Sequence, residues 1–358
     1  MAAHPKHKAC PFEHRAVLGC WINDLCSVPR MARWPAVDLD QRCVRDLVAF
    51  FDFMQEVGLD TIVLCGLLVA LDWDPQFAAT VPDARRRAVR RLLDAAHQRG
   101  VRVLYGLGLY SWGFDRIIRL NPRVRGTNPH AMCPSKAASH HVMEDLVRYL
   151  LAEFPFDGFH FESADLGRCN CRRCRPKSHS QYHLELNTRC AEYVRAERPD
   201  AVIEVYCPIR WAERHDWPAW AEASRQFTFF IDDYDQANQF GRRFRRDTIA
   251  SFRCAFGTRS GVWVYPPQRW DRLRWFAPVL EKRATHYRQL AADGGRAVLI
   301  QGAPLVNPAE EATLRCSAML SAEPDRDLAS VLVDVMTRMF APRTARAAEE
   351  LADLFWQA

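Results

Sequence analysis

Glu162 closes a short apolar, aromatic run, Asp157-Gly158-Phe159-His160-Phe161-Glu162. It is followed by Ser163-Ala164-Asp165 and by the cluster Cys169-Asn170-Cys171-Arg172-Arg173-Cys174. Side chains alternate across a strand, so His160 and Glu162 share one face and Phe159 and Phe161 the other. In a closed parallel barrel the two phenylalanines would pack outward on helices, leaving His160 and Glu162 to point inward near the mouth. A carboxylate at the C-terminal end of a barrel strand stands where such enzymes keep their chemistry. To give up a proton at neutral pH, Glu162 needs burial or a nearby carboxylate such as Asp165 or Asp232 to favour its neutral form.

The three thiols at C-x-C-x-x-C spacing suit a metal, and zinc asks for four soft tetrahedral ligands. Cys133 is the expected partner of Cys169, Cys171 and Cys174. Its Cys-Pro-Ser turn ends the loop after the third strand, next door in a barrel; Cys190, on a helix, is the weaker alternative. Four thiolates close the coordination sphere, so the expected zinc is structural rather than catalytic. The spacing differs from the common iron–sulfur runs. The chain holds no H-E-x-x-H, Walker loop or G-x-S-x-G elbow, and no organic cofactor is expected.

Groups expected at the ends of the other strands extend the set to Trp21 and Asn23, Tyr110 and Trp112, Glu204 and Tyr206, Arg210 and Trp211, Asp232 and Asp233, Tyr265 and Gln301. Carboxylates among flat rings suit a saccharide. Glycoside hydrolysis uses two carboxyl functions, or one acid plus a nucleophile on the substrate, and aromatic faces cover the C–H face of a sugar. Glu162, Asp165, Tyr206 and Asp232 are the catalytic candidates; the others, with His160, are substrate-binding candidates. Each has a plainer rival: an arginine partner for Glu162, a bonded core histidine for His160, a loop cap for Asp165, a deep ion pair for Glu204. Alternation lets at most one of Asp232 and Asp233 face a substrate.

The elements that must position these groups read as strand then helix, eight times. Expected strands run over Ala16–Ile22, Thr61–Leu68, Val101–Leu109, Asp157–Glu162, Val202–Tyr206, Phe227–Asp233, Gly261–Tyr265 and Ala297–Gln301, with helical stripes between them such as Val89, Leu92, Leu93 and Ala96. Such alternation calls for parallel βαβ units. With no Gly-rich phosphate turn after the first strand, a (β/α)8 TIM barrel is expected over 15–322, after a polar tail at 1–14. Residues 323–358 read as a helical extension of two helices broken near Ala341-Pro342. At 358 residues and 49% hydrophobic, the chain exceeds the roughly 250 residues of a typical barrel.

The net charge of +6 rests on arginine, since lysine stands only at Lys6, Lys8, Lys136, Lys177 and Lys282. The densest groups, Arg85-Arg86-Arg87 with Arg90-Arg91 and Arg242-Arg243 with Arg245-Arg246, fall in amphipathic helices. They read as solvated helix faces rather than a nucleic-acid surface. No stretch approaches the roughly 18 apolar residues of a membrane span, and the N-terminus lacks a signal-peptide core. An odd set of 13 scattered cysteines fits a reducing, cytoplasmic setting. The sequence leaves the oligomeric state open.

The run from Asp157 to Asp165, with Cys169, Cys171 and Cys174 and the upstream Cys133-Pro134-Ser135, resembles a group of bacterial glycosidase-like barrels. These are distantly similar to family 20 hexosaminidases, α-glucuronidases and family 163 N-acetylglucosaminidases. Glu323-Pro324-Asp325 before the last helices is similar to the close of those chains, although the specific motifs cover only about residues 133 to 174. The resemblance implies a retaining, substrate-assisted exo-glycosidase acting on an N-acetylhexosaminide or a uronide. On that pattern Glu162 is the general acid/base, Asp165 orients the acetamide and Tyr206 assists. The chain departs from the relatives in three ways. Family 20 places its Asp and Glu side by side, whereas Glu162 and Asp165 are three apart. The family 18 acid position holds Ala164, and the seventh strand carries no carboxylate. The alternatives are a non-catalytic carbohydrate-binding barrel, a former glycosidase, and a barrel hydrolase or lyase acting on another small polar substrate.

Overall fold

The computed structural model describes residues 10–19, 39–69, 72–164, 166–207, 214–232, 246–264, 280–302 and 308–357. Eight strands, β1 (His14–Gly19), β2 (Thr61–Leu64), β3 (Arg102–Leu109), β4 (Gly158–Ser163), β5 (Val202–Cys207), β6 (Phe229–Asp232), β7 (Ser260–Val264) and β8 (Ala297–Gln301), follow one another in that order around a closed barrel. All pairs are parallel, and β1 closes on β8. Each strand leads to a helix on the outside: α1 (Gln41–Val57), α2 (Asp83–His97), α3 (Ala137–Glu153), α4 (His179–Glu197), α5 (Trp217–Ala223), α6 (Arg246–Phe256), α7 (Leu280–Ala292) and α8 (Pro308–Ala322). This is the (β/α)8 architecture that the alternation predicts.

Two further helices, α9 (Leu328–Phe340) and α10 (Ala345–Gln357), follow, parted by Ala341 in a left-handed conformation (φ 44°) just before Pro342. Two short helices, Phe77–Thr80 and Asp115–Leu120, lie in the connections after β2 and β3. β1 begins at His14, inside the segment that reads as tail. Among the described residues no helix is long and apolar enough to cross a membrane.

Local chemistry sets the element ends. Asp40 accepts a hydrogen bond from the Cys43 amide to start α1, which stops at Gly58 (φ 72°). Ser178 and Gln181 cap each other at the start of α4, the reciprocal pairing that satisfies orphan amides of a first turn. The arginine-rich face of α2 is tied down: Arg86 and Arg90 both reach Glu153 on α3, and the Arg85 side chain donates to the Leu67 carbonyl.

Alternation divides the strand residues into two cores. Outward residues such as Ile62, Tyr105, Phe159, Phe161, Ile203, Val205 and Phe230 join the helices in one large cluster, while β7, β8 and the last helices form a second. Inward residues Ala16, Leu18, Val63, Leu104, Phe229, Ile231, Ala297 and Leu299 fill the barrel. On β3 the inward positions above Leu104 are Gly106 and Gly108. A Cβ on Gly106 would lie 2.2 Å from the Cys65 sulfur, and one on Gly108 would lie 2.4 Å from the Trp112 ring. Side chains from just past β2 and from the loop after β3 therefore occupy the room that β3 leaves. Overpacking of this kind costs about 1–3 kcal/mol. Gly106→Ala is expected to lower the unfolding midpoint accordingly, and Cys65→Ala in the same chain to restore most of it; a cycle without coupling would contradict this packing.

Candidate active site and metal centre

The mouth of the barrel is lined from below by Glu162 on β4, Tyr206 on β5, Trp263 on β7 and Gln301 on β8, with Trp112 folded back over Gly108. Tyr206 and Trp263 meet edge to face at 4.9 Å, and both share the inner apolar cluster with Trp112. Glu162 keeps 13% of its side chain exposed, whereas Glu204 below it is fully buried. It is thus the inward carboxylate with access to the mouth among the described residues. Gln301 is also buried, and neither end of its amide has a partner. An amide left in that state costs about 1–3 kcal/mol.

Beneath Glu162 runs a column of buried polar groups. His160, one step down the same face, bonds Glu204 Oε1 through Nδ1, and its Nε2 lies 3.3 Å from Glu162 Oε1 without hydrogen-bond alignment. Glu204 Oε2 in turn meets His14 Nε2 at 2.7 Å. Burial alone would push the His160 pKa down, but the charge and hydrogen bond of Glu204 and the neighbouring Glu162 carboxyl outweigh it and raise it to about 9. Burial would raise the Glu204 pKa, yet His160 and His14 hold it at about 2. His160 is thus an imidazolium at neutral pH, set between two carboxyl groups.

Other expected site residues are placed elsewhere. By alternation Tyr110 would follow Gly106 and Gly108 inward, but its backbone is left-handed (φ 60°), which breaks the alternation. Its ring instead enters the helix layer, where the hydroxyl bonds His140 Nδ1 on α3 at 2.6 Å. Asp232 is fully buried and paired with Arg253 on α6 at 2.8 Å, because Ile231, not Asp232, takes the inward position on β6. Both oxygens of Glu204 are engaged below the mouth, leaving neither for a sugar. Trp21, Asn23, Asp165, Arg210, Trp211, Asp233 and Tyr265 lie outside the described residues. His14 was not among the candidates. Its signal was the alternation His14, Ala16, Leu18, which puts it on the inward face of β1.

Cys133, Cys169, Cys171 and Cys174 come together beside the mouth, joining the loop after β3 to the loop after β4, with their sulfurs all within 4.8 Å of one another. Cys133 Sγ lies 3.7 Å from Cys171 Sγ and 3.8 Å from Cys174 Sγ. A tetrahedral site with bonds near 2.3 Å has sulfurs about 3.8 Å apart, so the spacing fits a tetracoordinate metal. Burial opposes charge on Cys171, but the Ser135 hydroxyl and the amides of Cys174 and Arg173 bring its pKa down to about 6. Burial and its thiol neighbours push Cys174 up. A Cβ on Gly126 would lie 2.5 Å from the Cys169 sulfur, so the loop can wrap the cluster only with glycine there. Cys190, buried on α4, stands apart from this group.

No family model matches the chain, and neither does any curated protein. Solved structures do. A GH138 enzyme targeting pectin rhamnogalacturonan II superposes over 99% of this chain with a TM-score of 0.66 at 9% identity. A GH20 exo-β-N-acetylglucosaminidase from Vibrio harveyi, in complex with N-acetylglucosamine, does so over 97% with 0.57 at 10% identity. An Anoxybacillus α-amylase covers 87% with 0.55 at 12% identity. The chain spans 44% of the length of the first and 58% of the second. At such identities the likeness is one of fold alone.

The imidazolium of His160 ties stability to pH. Its contribution is complete below the ordinary value of 6.5 and is lost as pH rises through about 9. That of Glu204 is present above 4.5 and is lost as pH falls through about 2. Denaturant unfolding of wild type is expected to weaken between pH 6.5 and 9, and His160→Gln to lose this part of the decline; parallel curves would count against the charged ring.

Proposed function

We propose that the protein is a glycoside hydrolase-like enzyme that cleaves a glycosidic bond by carboxylate acid/base catalysis, with Glu162 as the proton donor. The observation that carries this reading is the position of Glu162: inward, at the C-terminal end of β4, partly open to the mouth and bordered by Tyr206, Trp112 and Trp263. The fold likeness to glycoside hydrolases supports the same class. Tyr206 stands on the next strand as an assisting hydroxyl. Asp165 is proposed, on the resemblance, to orient an acetamido or carboxylate group of an N-acetylhexosaminide or uronide. With Asp232 drawn to Arg253, Glu162 is the single inward carboxylate at the mouth among the described residues. That suits a substrate-assisted mechanism, which asks the protein for one acid. It equally suits a barrel that binds saccharide without cleaving it.

The four cysteines are proposed to hold a structural zinc. Soft thiolates in a closed tetrahedral set give no open position for substrate, and the ion would brace the two loops flanking Glu162.

Two experiments test these readings. Wild type is expected to hydrolyse a member of a panel of aryl glycosides that includes N-acetylhexosaminides and glucuronides. Glu162→Gln should fold alike and lose about 10²–10⁴-fold in kcat/KM. Equal turnover would remove Glu162 from the chemistry, and saccharide binding without turnover would favour the binding barrel. Elemental analysis should find about one zinc per chain, lost together with thermal stability in Cys171→Ser; a metal-free chain of unchanged stability would exclude the site.

A further inference from the structure

The column beneath Glu162 is fixed at every link but the last. Glu204 presents one oxygen to each of two rings, His14 Nε2 and His160 Nδ1, so its carboxylate cannot turn without breaking a bond. His14 is itself positioned from behind. Arg102 Nη2 approaches its Nδ1 at 3.5 Å and bonds Asp60 at 2.8 Å. A guanidinium only donates, so this approach leaves Nδ1 of His14 as acceptor and its proton on Nε2, aimed at Glu204. The ring also stacks on Phe229 at 4.4 Å. His160 is therefore held by its Nδ1 edge, and its Nε2, which makes no hydrogen bond, lies 3.3 Å from Glu162 Oε1. A buried ring nitrogen that lies 3.3 Å from a reacting carboxyl and is engaged with nothing else needs only a small tilt of the ring to pass a proton.

We propose that His14 and Glu204 hold the His160 ring so that its Nε2–H resupplies Glu162 with the proton that Glu162 delivers to the leaving-group oxygen. The inference rests on the glycosidase reading. His160, Glu204 and His14 are positioning residues, since each acts through Glu162. As the glycosidic C–O bond breaks, the Glu162 O–H bond breaks and the leaving-group O–H bond forms. The Nε2 proton moves to Glu162, leaving a neutral imidazole bonded to Glu204. The water that ends the reaction forms the new C–O bond and returns one proton to the Glu162–His160 pair. Its two hydrogens are thereby shared between the product hydroxyls, and no electrons are exchanged.

The titratable groups facing His160 are Glu162 on its own strand, Glu204 from β5 with Tyr206 one step above, and His14 from β1 behind Glu204. From β3 its register partner is Gly106, over which the Cys65 thiol sits. The carboxyl groups dominate this set, in keeping with a ring that stays charged to about pH 9.

The test is ¹⁵N NMR of histidine-labelled protein, with the His160 signals assigned by their loss in His160→Gln, alongside pH profiles of kcat/KM. The His160 ring should carry both protons at pH 7. Its titration midpoint should coincide with the alkaline limb of the wild-type profile, and in Glu204→Gln both should move down together by about one pH unit or more. A neutral ring at pH 7 overturns the proposal, and so does an alkaline limb that stays in place while the ring titration moves. If Glu204→Gln fails to fold, the wild-type comparison of midpoint and limb decides alone. Full activity in Glu162→Gln would instead strike the glycosidase reading, and the ring titration would still report the state of the column.

Discussion

A carboxylate enclosed in an apolar barrel has to be given its counter-charges by the same barrel. Glu204 imposes that requirement. Its desolvation, several kcal/mol even after relaxation, is offset only if hydrogen-bond donors meet both oxygens at its own height. His14 and His160 do so from β1 and β4, two strands far apart in sequence. The registers of β1, β4 and β5 are therefore tied to one another, since a slip of one residue would turn an imidazole outward and strand a charge. Apolar side chains of similar volume often serve stability as well as a buried ion pair does. Stability alone therefore does not require this column.

Above the column the backbone changes character. Tyr110 and Ala164, just past β3 and β4, both take left-handed conformations that side-chain-bearing residues seldom adopt. The strain lies where the two neighbouring strands hand over to the loops that carry the cysteines. The first of these turns sends Tyr110 outward to His140 and lets Trp112 return over Gly108. The second ends the strand just beyond Glu162. The four sulfurs lie within 4.8 Å of one another where these two loops meet, so an ion bound there would brace the backbone on both sides of Glu162 as a clasp.

Much of the barrel was legible because its signals are local. Alternation along Phe159-His160-Phe161-Glu162 and stripes such as Val89, Leu92, Leu93 and Ala96 give strand faces and helix faces without tertiary knowledge. The thiol spacing likewise identified its own cluster, and the Cys-Pro-Ser turn pointed to its fourth cysteine. What escaped depends on register and on backbone hand. Whether Ile231 or Asp232 faces inward is a question of phase that four consecutive buried residues cannot answer. Tyr110 obeys alternation until its φ changes sign, and no residue type announces that change, since tyrosine is a poor choice for it. His14 was overlooked because a polar residue at the start of a chain segment reads as solvated until the strand it begins is paired with β8.

The clasp has a bearing on how the chain assembles. Cys133 and Cys174 are 41 residues apart, and the segment between them contains α3 and β4 entire. An ion joining them would close a loop around one complete structural unit, a modest entropic step compared with closing the barrel between β1 and β8. That closure requires nothing from β5 onward. The quarter of the barrel bearing Glu162 could thus be fastened while the remainder is still being synthesised, giving later strands a formed edge on which to dock. Availability of metal would then govern the yield of folded protein during translation, before any effect on the finished molecule.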